Sequence, residues 1–150
     1  MSRIAIGCDH RGFALKEQIM PFLQNAGYSY QDFGCYSSDP VDYPDIAQKV
    51  GREVVSGNSE QGILICSTGI GMSIAANKIK GIRAALCCDA FAAQRARHHN
   101  DANVLCLRGE HLDTKSALEI VKTFLATDFE GGRHLQRVNK IRTLDEYSPE

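Results

Sequence analysis

The chain contains five short apolar runs. One helix-like segment follows each of the first four runs, and two helix-like segments follow the fifth. The clearest run, Gly62–Cys66 (GILIC), is apolar throughout, which is typical of a strand buried on both faces of a sheet. In Phe13–Ala26 the apolar residues instead recur at roughly helical spacing. Parallel strands need such crossover helices to join them. The alternation therefore predicts an α/β fold with a parallel sheet.

The pattern divides the whole chain, residues 1–150, into five strands and six helices of a single domain. The predicted strands are Ile4–Cys8, Tyr28–Gly34, Gly62–Cys66, Ile82–Cys88 and Asn103–Leu107. The predicted helices are Phe13–Ala26, about Asp45–Ser56, a small one after Gly71, Ala90–Arg97, Thr114–Thr127 and about Arg133–Asp145. Right-handed crossovers then give a three-layer, Rossmann-like sandwich.

Three local features qualify this prediction. Pro21 lies inside the first helix and is expected to kink or divide it. The polar, proline-containing stretch Ser37–Pro44 reads as a long loop. No strand follows the last helix, so we expect that helix to pack outward or on a second subunit.

Composition excludes several classes of protein. The net charge is −1 without a run of five like charges, so the electrostatic field of a nucleic-acid binder is missing. The first residues are too short an apolar stretch for a signal peptide, and no apolar window could span a membrane. We therefore expect a soluble, cytoplasmic protein. Its six cysteines include no CxxC pair and are expected to be reduced.

Two polar clusters follow predicted strands, where parallel sheets bind ligands. In the first, Cys66 precedes the turn Ser67–Gly71, whose N–H groups are suited to hold an anion at a helix N-terminus. The same field favours the thiolate of Cys66, a base or nucleophile. The alternative is a buried cysteine with ordinary turn glycines. In the second cluster, Asp9 and His10 offer an acceptor and a donor for a sugar phosphate, or only a helix cap and a surface histidine.

Two further clusters lie away from these strand ends. His98–Asp101 offers an acid or base, but it precedes a strand, so it must reach the site across a helix or from a neighbouring subunit. The alternative is that its histidines only interact with the helix dipole. Arg133 and Arg137 share a helix face and suit a phosphate, unless they pair with Glu130 or Asp128. No HExxH or paired CxxC motif occurs, so no metal is expected.

Five blocks together resemble type B ribose-5-phosphate isomerases over nearly the whole chain. They are GCDHRGFALK, DYPDIA, ILICSTGIGMSIAANKIKGIRAA, RHHNDANVL and FEGGRHLQRV. The resemblance implies an aldose–ketose isomerase that uses an enediolate intermediate and needs no cofactor. It also implies a homodimer with shared active sites, or a tetramer, whose last helix reaches the partner subunit.

The resemblance also implies a role for each matching residue. Cys66 is the base, His99 assists ring opening and Thr68 helps proton transfer. The enediolate oxygens are held by Asn100 and by the turn that contains Ser67, Gly69, Ile70 and Gly71. Asp9 and Tyr43 contact the sugar. The phosphate is bound by His10, Arg133 and Arg137.

Two positions depart from the pattern of these isomerases. Ser67 stands where many relatives have glycine, which a role for the backbone N–H should tolerate. Glu110 stands where many have arginine, and it would repel a phosphate if it pointed inward. Arg108, two residues earlier, is the candidate to replace that arginine.

Other functions remain open at this point. Galactose-6-phosphate isomerase shares the superfamily but divides its site between two different subunits, whereas this chain carries base, acid and phosphate groups together. Allose 6-phosphate is a further six-carbon alternative. From a different class, a nucleotide-binding or thiol-sensing module is conceivable, although the chain lacks GxGxxG after its first strand.

Overall fold

The computed structural model describes residues 2–149 and contains a five-stranded, all-parallel sheet with helices on both faces. The strands are β1 (Arg3–Cys8), β2 (Ser29–Asp32), β3 (Gln61–Cys66), β4 (Ala84–Leu86) and β5 (Val104–Arg108). The helices are α1 (Phe13–Asn25), α2 (Tyr43–Val55), α3 (Ile70–Ala76), α4 (Ala90–Asn100), α5 (Thr114–Ala126) and α6 (Arg133–Leu144). The predicted three-layer α/β sandwich is confirmed. None of the helices in this part of the chain has the length and apolarity to cross a bilayer.

The order of the strands, β2-β1-β3-β5-β4, determines where a ligand can bind. The chain leaves β1 toward β2 and then returns past β1 to form β3, so the connections diverge between β1 and β3. A crevice opens at the carboxyl ends of strands at such a point. Because Cys8 pairs with Ile65, the residues that follow, Asp9 and Cys66, lie side by side there.

Side chains alternate between the two faces of the central strands. Ile63 and Ile65 of β3 join the core under α1, α4 and α5. Leu64 and Cys66 join the core under α2 and α3. The position of Cys66 in this alternation directs its sulfur toward the α2–α3 side.

The sequence predicted that Pro21 would kink or divide the first helix. The structure shows no division there. α1 runs unbroken from Phe13 to Asn25 with Pro21 inside it. A proline here removes one N–H bond to the carbonyl of Glu17. Both residues are exposed, so water can satisfy that carbonyl.

Several predicted boundaries were wrong by two or three residues. α2 begins at Tyr43, because Pro44 occupies the first turn, where a missing N–H has no cost. α4 continues past Arg97 to Asn100, and Asp101 ends it in the left-handed conformation. His98–Asn100 therefore form the last turn of a helix rather than the loop after it.

Candidate active site

The turn after β3 is built around the sulfur of Cys66. Cys66 is only 5% exposed, and the backbone N–H of Gly69 donates to its Sγ at 3.2 Å. Gly69 has a φ of +79°, and a Cβ there would lie 2.5 Å from Cδ1 of Leu86. Glycine thus permits the tight turn that directs an N–H group at the sulfur, where it stabilises negative charge.

The rest of this turn presents the hydroxyl of Thr68 and lies against the ring of Tyr43. Thr68 Oγ1 accepts the N–H of Ile70 at 3.1 Å, so its own hydroxyl proton remains available to a ligand. Tyr43, the first residue of α2, lies against Gly71, since a Cβ at position 71 would be 2.5 Å from Cε1 of Tyr43. The structure therefore brings Tyr43 to the Cys66 turn, as expected for a substrate-binding residue.

Asp9 and His10 border the same crevice. Asp9 is 6% exposed, and its Oδ1 accepts the N–H groups of Arg11 (2.9 Å) and Gly12 (3.1 Å). These bonds close the turn before α1 and use only one carboxylate oxygen. Asp9 is therefore not the helix cap considered above, because Gly12 is the N-cap residue of α1. His10 is half-buried rather than on the surface, and its Nδ1 accepts the N–H of Val41 at 3.3 Å. Nδ1 is therefore unprotonated, which leaves Nε2–H as a donor.

Glu110 points toward Ser67, beside the Cys66 turn. Its Oε2 accepts the Ser67 hydroxyl at 2.8 Å, and its Oε1 lies 3.0 Å from Nη1 of Arg11. The hydrogen bond from Ser67, followed by that from Arg11, lowers the pKa of Glu110. Arg11 offsets the negative charge at this position.

Arg108 supplies a positive charge to the neighbouring cleft. Arg108 on β5 is paired with Cys66 on β3 in the sheet. It lines a cleft of about 260 Å³ together with Thr68 and Glu110. Its buried Nε has no hydrogen-bond partner among residues 2–149. Larger cavities, of about 450 and 510 Å³, lie away from the Cys66 turn, and Asn100 lines the second of them. Cavity size alone therefore does not identify the site.

The remaining predicted site residues lie at the opposite edge of the sheet. α4 runs antiparallel to the strands, so its last turn, with His99 and Asn100, lies near their amino ends. Arg83, just before β4, donates from Nε to the carbonyl of Asp101 at 2.9 Å, which fixes this position. The N–H of Glu130 donates to the carbonyl of His98 at 3.0 Å and brings the start of α6 to the same edge.

We name these groups by their positions. The carboxyl-edge cluster comprises Asp9, His10, Tyr43 and Cys66–Gly71, and the amino-edge cluster comprises His99, Asn100, Arg133 and Arg137. The six residues of β3 between the two edges span about 20 Å. One chain therefore does not bring all its predicted site residues together around one small sugar phosphate.

His99 packs among other histidines at the amino edge. Its ring stacks on that of His134, with centroids 4.2 Å apart and planes 14° apart. Partial burial, together with His134, Arg95 and His98, lowers the pKa of His99. The imidazole is therefore neutral near pH 7, where it can donate one proton and accept another.

Arg133 and Arg137 both belong to α6 and are exposed, so the predicted shared helix face is confirmed. The alternative pairing with Glu130 is not found. Glu130 Oε2 instead lies 3.4 Å from Nδ1 of His98 and 3.1 Å from Nε2 of His134. The two guanidinium groups thus face solvent without that carboxylate.

Sequence reasoning missed a fully buried lysine that supports the carboxyl edge. Lys16 Nζ lies 2.6 Å from Asp32 Oδ1 and also donates to the carbonyl of Cys35. Cys35 in turn donates its N–H to the carbonyl of Cys8 at 2.7 Å, next to Asp9. Lys16 lies on the buried stripe with Ile19 and Leu23, and a lysine in such a stripe signals a buried partner.

All six cysteines are free, as predicted. Burial raises the pKa of Cys8 and of Cys87 to about 12, and it raises that of Cys106 as well. These three thiols stay protonated near neutral pH. At Cys66 the backbone N–H of Gly69 reaches the sulfur.

Known proteins that are similar to this chain place it in one family. Residues 4–141 match the family described as Ribose/Galactose Isomerase. Ribose-5-phosphate isomerase B of Escherichia coli K12 is 45% identical over 146 residues, 97% of this chain and 98% of that protein. D-erythrulose-4-phosphate isomerase of Pectobacterium atrosepticum is 43% identical, covering 94% and 93%. The solved structure of Clostridium thermocellum ribose-5-phosphate isomerase B superposes with a TM-score of 0.94 at 48% identity, covering 96% and 97%.

Proposed function

Because the chain belongs to the ribose/galactose isomerase family, we propose that it interconverts ribose 5-phosphate and ribulose 5-phosphate, a reaction of the non-oxidative pentose phosphate pathway. Relatives that are 45% and 48% identical over nearly their whole length are ribose-5-phosphate isomerases B. The single observation that carries the proposal is the Gly69 N–H directed at the buried sulfur of Cys66, beside the carboxylate of Asp9.

The reaction begins with the sugar ring closed. The second carboxylate oxygen of Asp9 accepts a sugar hydroxyl, while Tyr43 covers the turn at Gly71. His99 from a second copy exchanges a proton with the ring oxygen and the anomeric hydroxyl, for which a neutral imidazole is suited. The open-chain aldehyde then lies against Cys66.

The thiolate of Cys66 removes the proton from C2 of the aldose and returns it to C1. Meanwhile the hydroxyl of Thr68, whose proton is free, relays a proton from the oxygen on C2 to the oxygen on C1, which gives the ketose. Negative charge develops on the enediolate oxygens between these steps. The N–H groups of Gly69 and Ile70 already have acceptors within the turn. The N–H groups of Thr68 and Gly71 have none among residues 2–149, so together with Asn100 they are our candidates to hold these oxygens.

The phosphate lies at the far end of the substrate. We assign it to the Nε2–H of His10, to Arg133 and Arg137 of the second copy, and to Arg108. Arg108 is included because its Nε is buried in the neighbouring cleft without a partner in the described part of the chain. Glu110 need not repel the phosphate, since Arg11 and Ser67 engage its carboxylate.

We infer a homodimer from the separation of the two clusters. In a two-fold dimer the amino-edge cluster of one copy can meet the carboxyl-edge cluster of the other, and both sites are completed by one contact. Large exposed apolar side chains support such a contact: Ile70 and Ile74 on α3 flank the Cys66 turn, and Phe91 starts α4. Light scattering should give twice 16.5 kDa, and a stable monomer would contradict this inference.

We also place the protein in the cytoplasm. Six free cysteines, including Cys8 and Cys35 with sulfurs 3.8 Å apart and unbonded, suit a reducing compartment. Fractionation of cells would test this placement.

The function is tested by turnover of purified wild-type protein with EDTA present. We expect ribose 5-phosphate and ribulose 5-phosphate to be interconverted, with smaller rates on galactose 6-phosphate and allose 6-phosphate. D-erythrulose 4-phosphate belongs in the same panel, because one relative at 43% identity is an isomerase of that sugar. A protein that converts one of these sugars and leaves ribose 5-phosphate unchanged would refute the assigned substrate.

A further inference from the structure

We propose that His98, His99 and Glu130 form a binding site for a divalent transition-metal ion such as Zn²⁺ at the amino edge of the sheet. Each offers one ligand atom, and the three atoms lie within 4.8 Å of one another. Two imidazole nitrogens and one carboxylate oxygen are a common protein ligand set for Zn²⁺. The ligands come from the end of α4 and from the segment before α6, which is why a search for HExxH spacing does not find them.

The distances suit a tetrahedral ion. Metal–ligand bonds of about 2.0–2.1 Å place neighbouring ligand atoms about 3.3 Å apart in tetrahedral coordination. Nδ1 of His98 and Oε2 of Glu130 are already 3.4 Å apart. The nitrogen of His99 lies within 4.8 Å of the other two ligand atoms and would reach the ion by a rotation of its side chain.

The ligands are held in place before any ion binds. The N–H of Glu130 donates to the carbonyl of His98 at 3.0 Å, which fixes the two backbones together. The buried ring of His134 stacks on His99, and its Nε2 lies 3.1 Å from Oε2 of Glu130. The nitrogens of two stacked rings point in parallel directions and do not converge on one ion. His134 is therefore not a fourth ligand, and its contacts hold His99 and Glu130 in place.

Two nitrogens at this site lack a hydrogen-bond partner. Nδ1 of His98 and Nε2 of His134 are buried, and within the described residues neither has a contact with hydrogen-bond geometry. Buried imidazole nitrogens are normally satisfied, so the unpartnered Nδ1 of His98, one of the three proposed ligand residues, is a second observation that points to a ligand here. The side chains of His98 and Glu130 are 35% and 49% exposed, which lets an ion enter and keep a water molecule as its fourth ligand.

The ligand set and its charge predict which ions bind. Imidazole nitrogens favour Zn²⁺, Ni²⁺ and Cu²⁺, whereas Mg²⁺ and Ca²⁺ prefer sites made of oxygen ligands. The carboxylate of Glu130 is the one negative charge among the three ligands. We therefore expect Zn²⁺ to bind and Mg²⁺ not to bind.

Occupancy of this site would inhibit the enzyme, a consequence that rests on the proposed function. An ion bound to His99 occupies the nitrogen that otherwise exchanges a proton with the sugar. His98 contacts no substrate in the proposed reaction, and its effect on the pKa of His99 is smaller than those of burial, His134 and Arg95. It is therefore the residue at which metal binding and catalysis can be separated.

Binding is measured by titrating ZnCl₂ into EDTA-treated, desalted wild-type protein in a calorimeter. We expect one Zn²⁺ per chain, no heat from MgCl₂, and a loss of affinity of at least about tenfold in His98→Ala and in His98→Gln. His111→Ala, which alters an exposed histidine elsewhere, should bind as the wild type does. Cys66→Ala and Cys88→Ser should also retain binding, which excludes the thiols as ligands. Absence of binding, or equal binding by wild type and both His98 variants, would overturn the site.

Inhibition is measured on ribose 5-phosphate turnover. Zn²⁺ should lower the turnover rate of the wild type, and EDTA should restore that rate. His98→Ala should turn over ribose 5-phosphate at the same rate with and without Zn²⁺. Equal inhibition of wild type and His98→Ala would refute the link between this site and catalysis. The calorimetry does not depend on the reaction. If the protein binds Zn²⁺ through His98 but does not convert ribose 5-phosphate, the metal site is supported and the proposed function is refuted.

Discussion

The two edges of the sheet differ in how far a single chain prepares them. At the carboxyl edge, Cys66 and Asp9 are buried, and backbone N–H groups fix both side chains. At the amino edge, Arg133 and Arg137 are exposed, and Asn100 ends a helix in contact with solvent. One chain therefore fixes the proposed base, Cys66, but leaves the proposed phosphate-binding arginines facing outward.

The difference has a simple physical origin. Strands of a parallel sheet end together, so the residues after β1 and β3 are brought side by side by the sheet hydrogen bonds themselves. Helices run in the opposite direction, so the last turn of α4 is carried to the far edge. Covalent connectivity thus separates residues that the proposed reaction needs within a few ångströms, and the proposed dimer reunites them.

The largest expected effect comes from the base. Cys66→Ala should lower kcat about 10³-fold, because no other group is placed to move the proton between C1 and C2. Circular dichroism should show an intact fold. The matched control is Cys106→Ala, a buried thiol in the same core whose raised pKa keeps it protonated, and it should keep kcat within about threefold. An active Cys66→Ala protein would move the base elsewhere.

The amino edge should respond through substrate binding. Arg137→Ala should raise KM about 10- to 100-fold and change kcat little, because charge-assisted hydrogen bonds to a phosphate contribute about 1.5–3 kcal/mol. Lys140→Ala, another exposed cation on α6, is the control and should leave KM unchanged. Steady-state kinetics on ribose 5-phosphate distinguishes the two. A fall in kcat at constant KM would remove Arg137 from the phosphate site.

The shape of the Cys66 turn can be tested separately from its chemistry. Gly69→Ala should lower kcat about tenfold and cost more stability than Gly57→Ala, although both glycines have a positive φ. A Cβ at Gly57 meets nothing within 4 Å, so that variant should lose only about 1 kcal/mol of unfolding free energy. At Gly69 the Cβ would also press on Leu86, which adds about 1–3 kcal/mol. Equal losses in urea unfolding would argue against a tightly packed turn.

The smallest effect is expected at Ser67. Ser67→Gly should keep kcat/KM within about threefold, because the role assigned to this turn belongs to the backbone. The hydroxyl of Ser67 only holds Glu110, at 2.8 Å. A change of tenfold or more would mean that this hydroxyl or the position of Glu110 matters to the substrate.

The sequence was most informative at the carboxyl edge. The apolar run GILIC predicted β3, and the polar residues directly after it predicted the Cys66 turn, because both signals are local. Lys16 escaped notice since its partners, Asp32 and the carbonyl of Cys35, are distant in sequence and meet it only in the fold. Tertiary contacts of this kind leave no local pattern.

The amino edge was predicted less well. The end of α4 was placed at Arg97, because the run of polar residues after it resembles a loop, whereas the histidines form a last turn that Asp101 ends with a positive φ. The contact of Glu130 with His98 joins two segments about thirty residues apart, and no helical or strand spacing indicates it. The resemblance to the isomerases identified His99, but not the residues that hold it.

The central claim is that each active site combines Cys66 of one copy with His99 of another. Cys66→Ala and His99→Asn should each be nearly inactive alone. Co-expressed with different affinity tags and purified through both, the hybrid dimer has one doubly altered site and one intact site, so it should show about half the wild-type rate per dimer. A hybrid no more active than its two parents would contradict the account, because it would place Cys66 and His99 of a working site in the same chain.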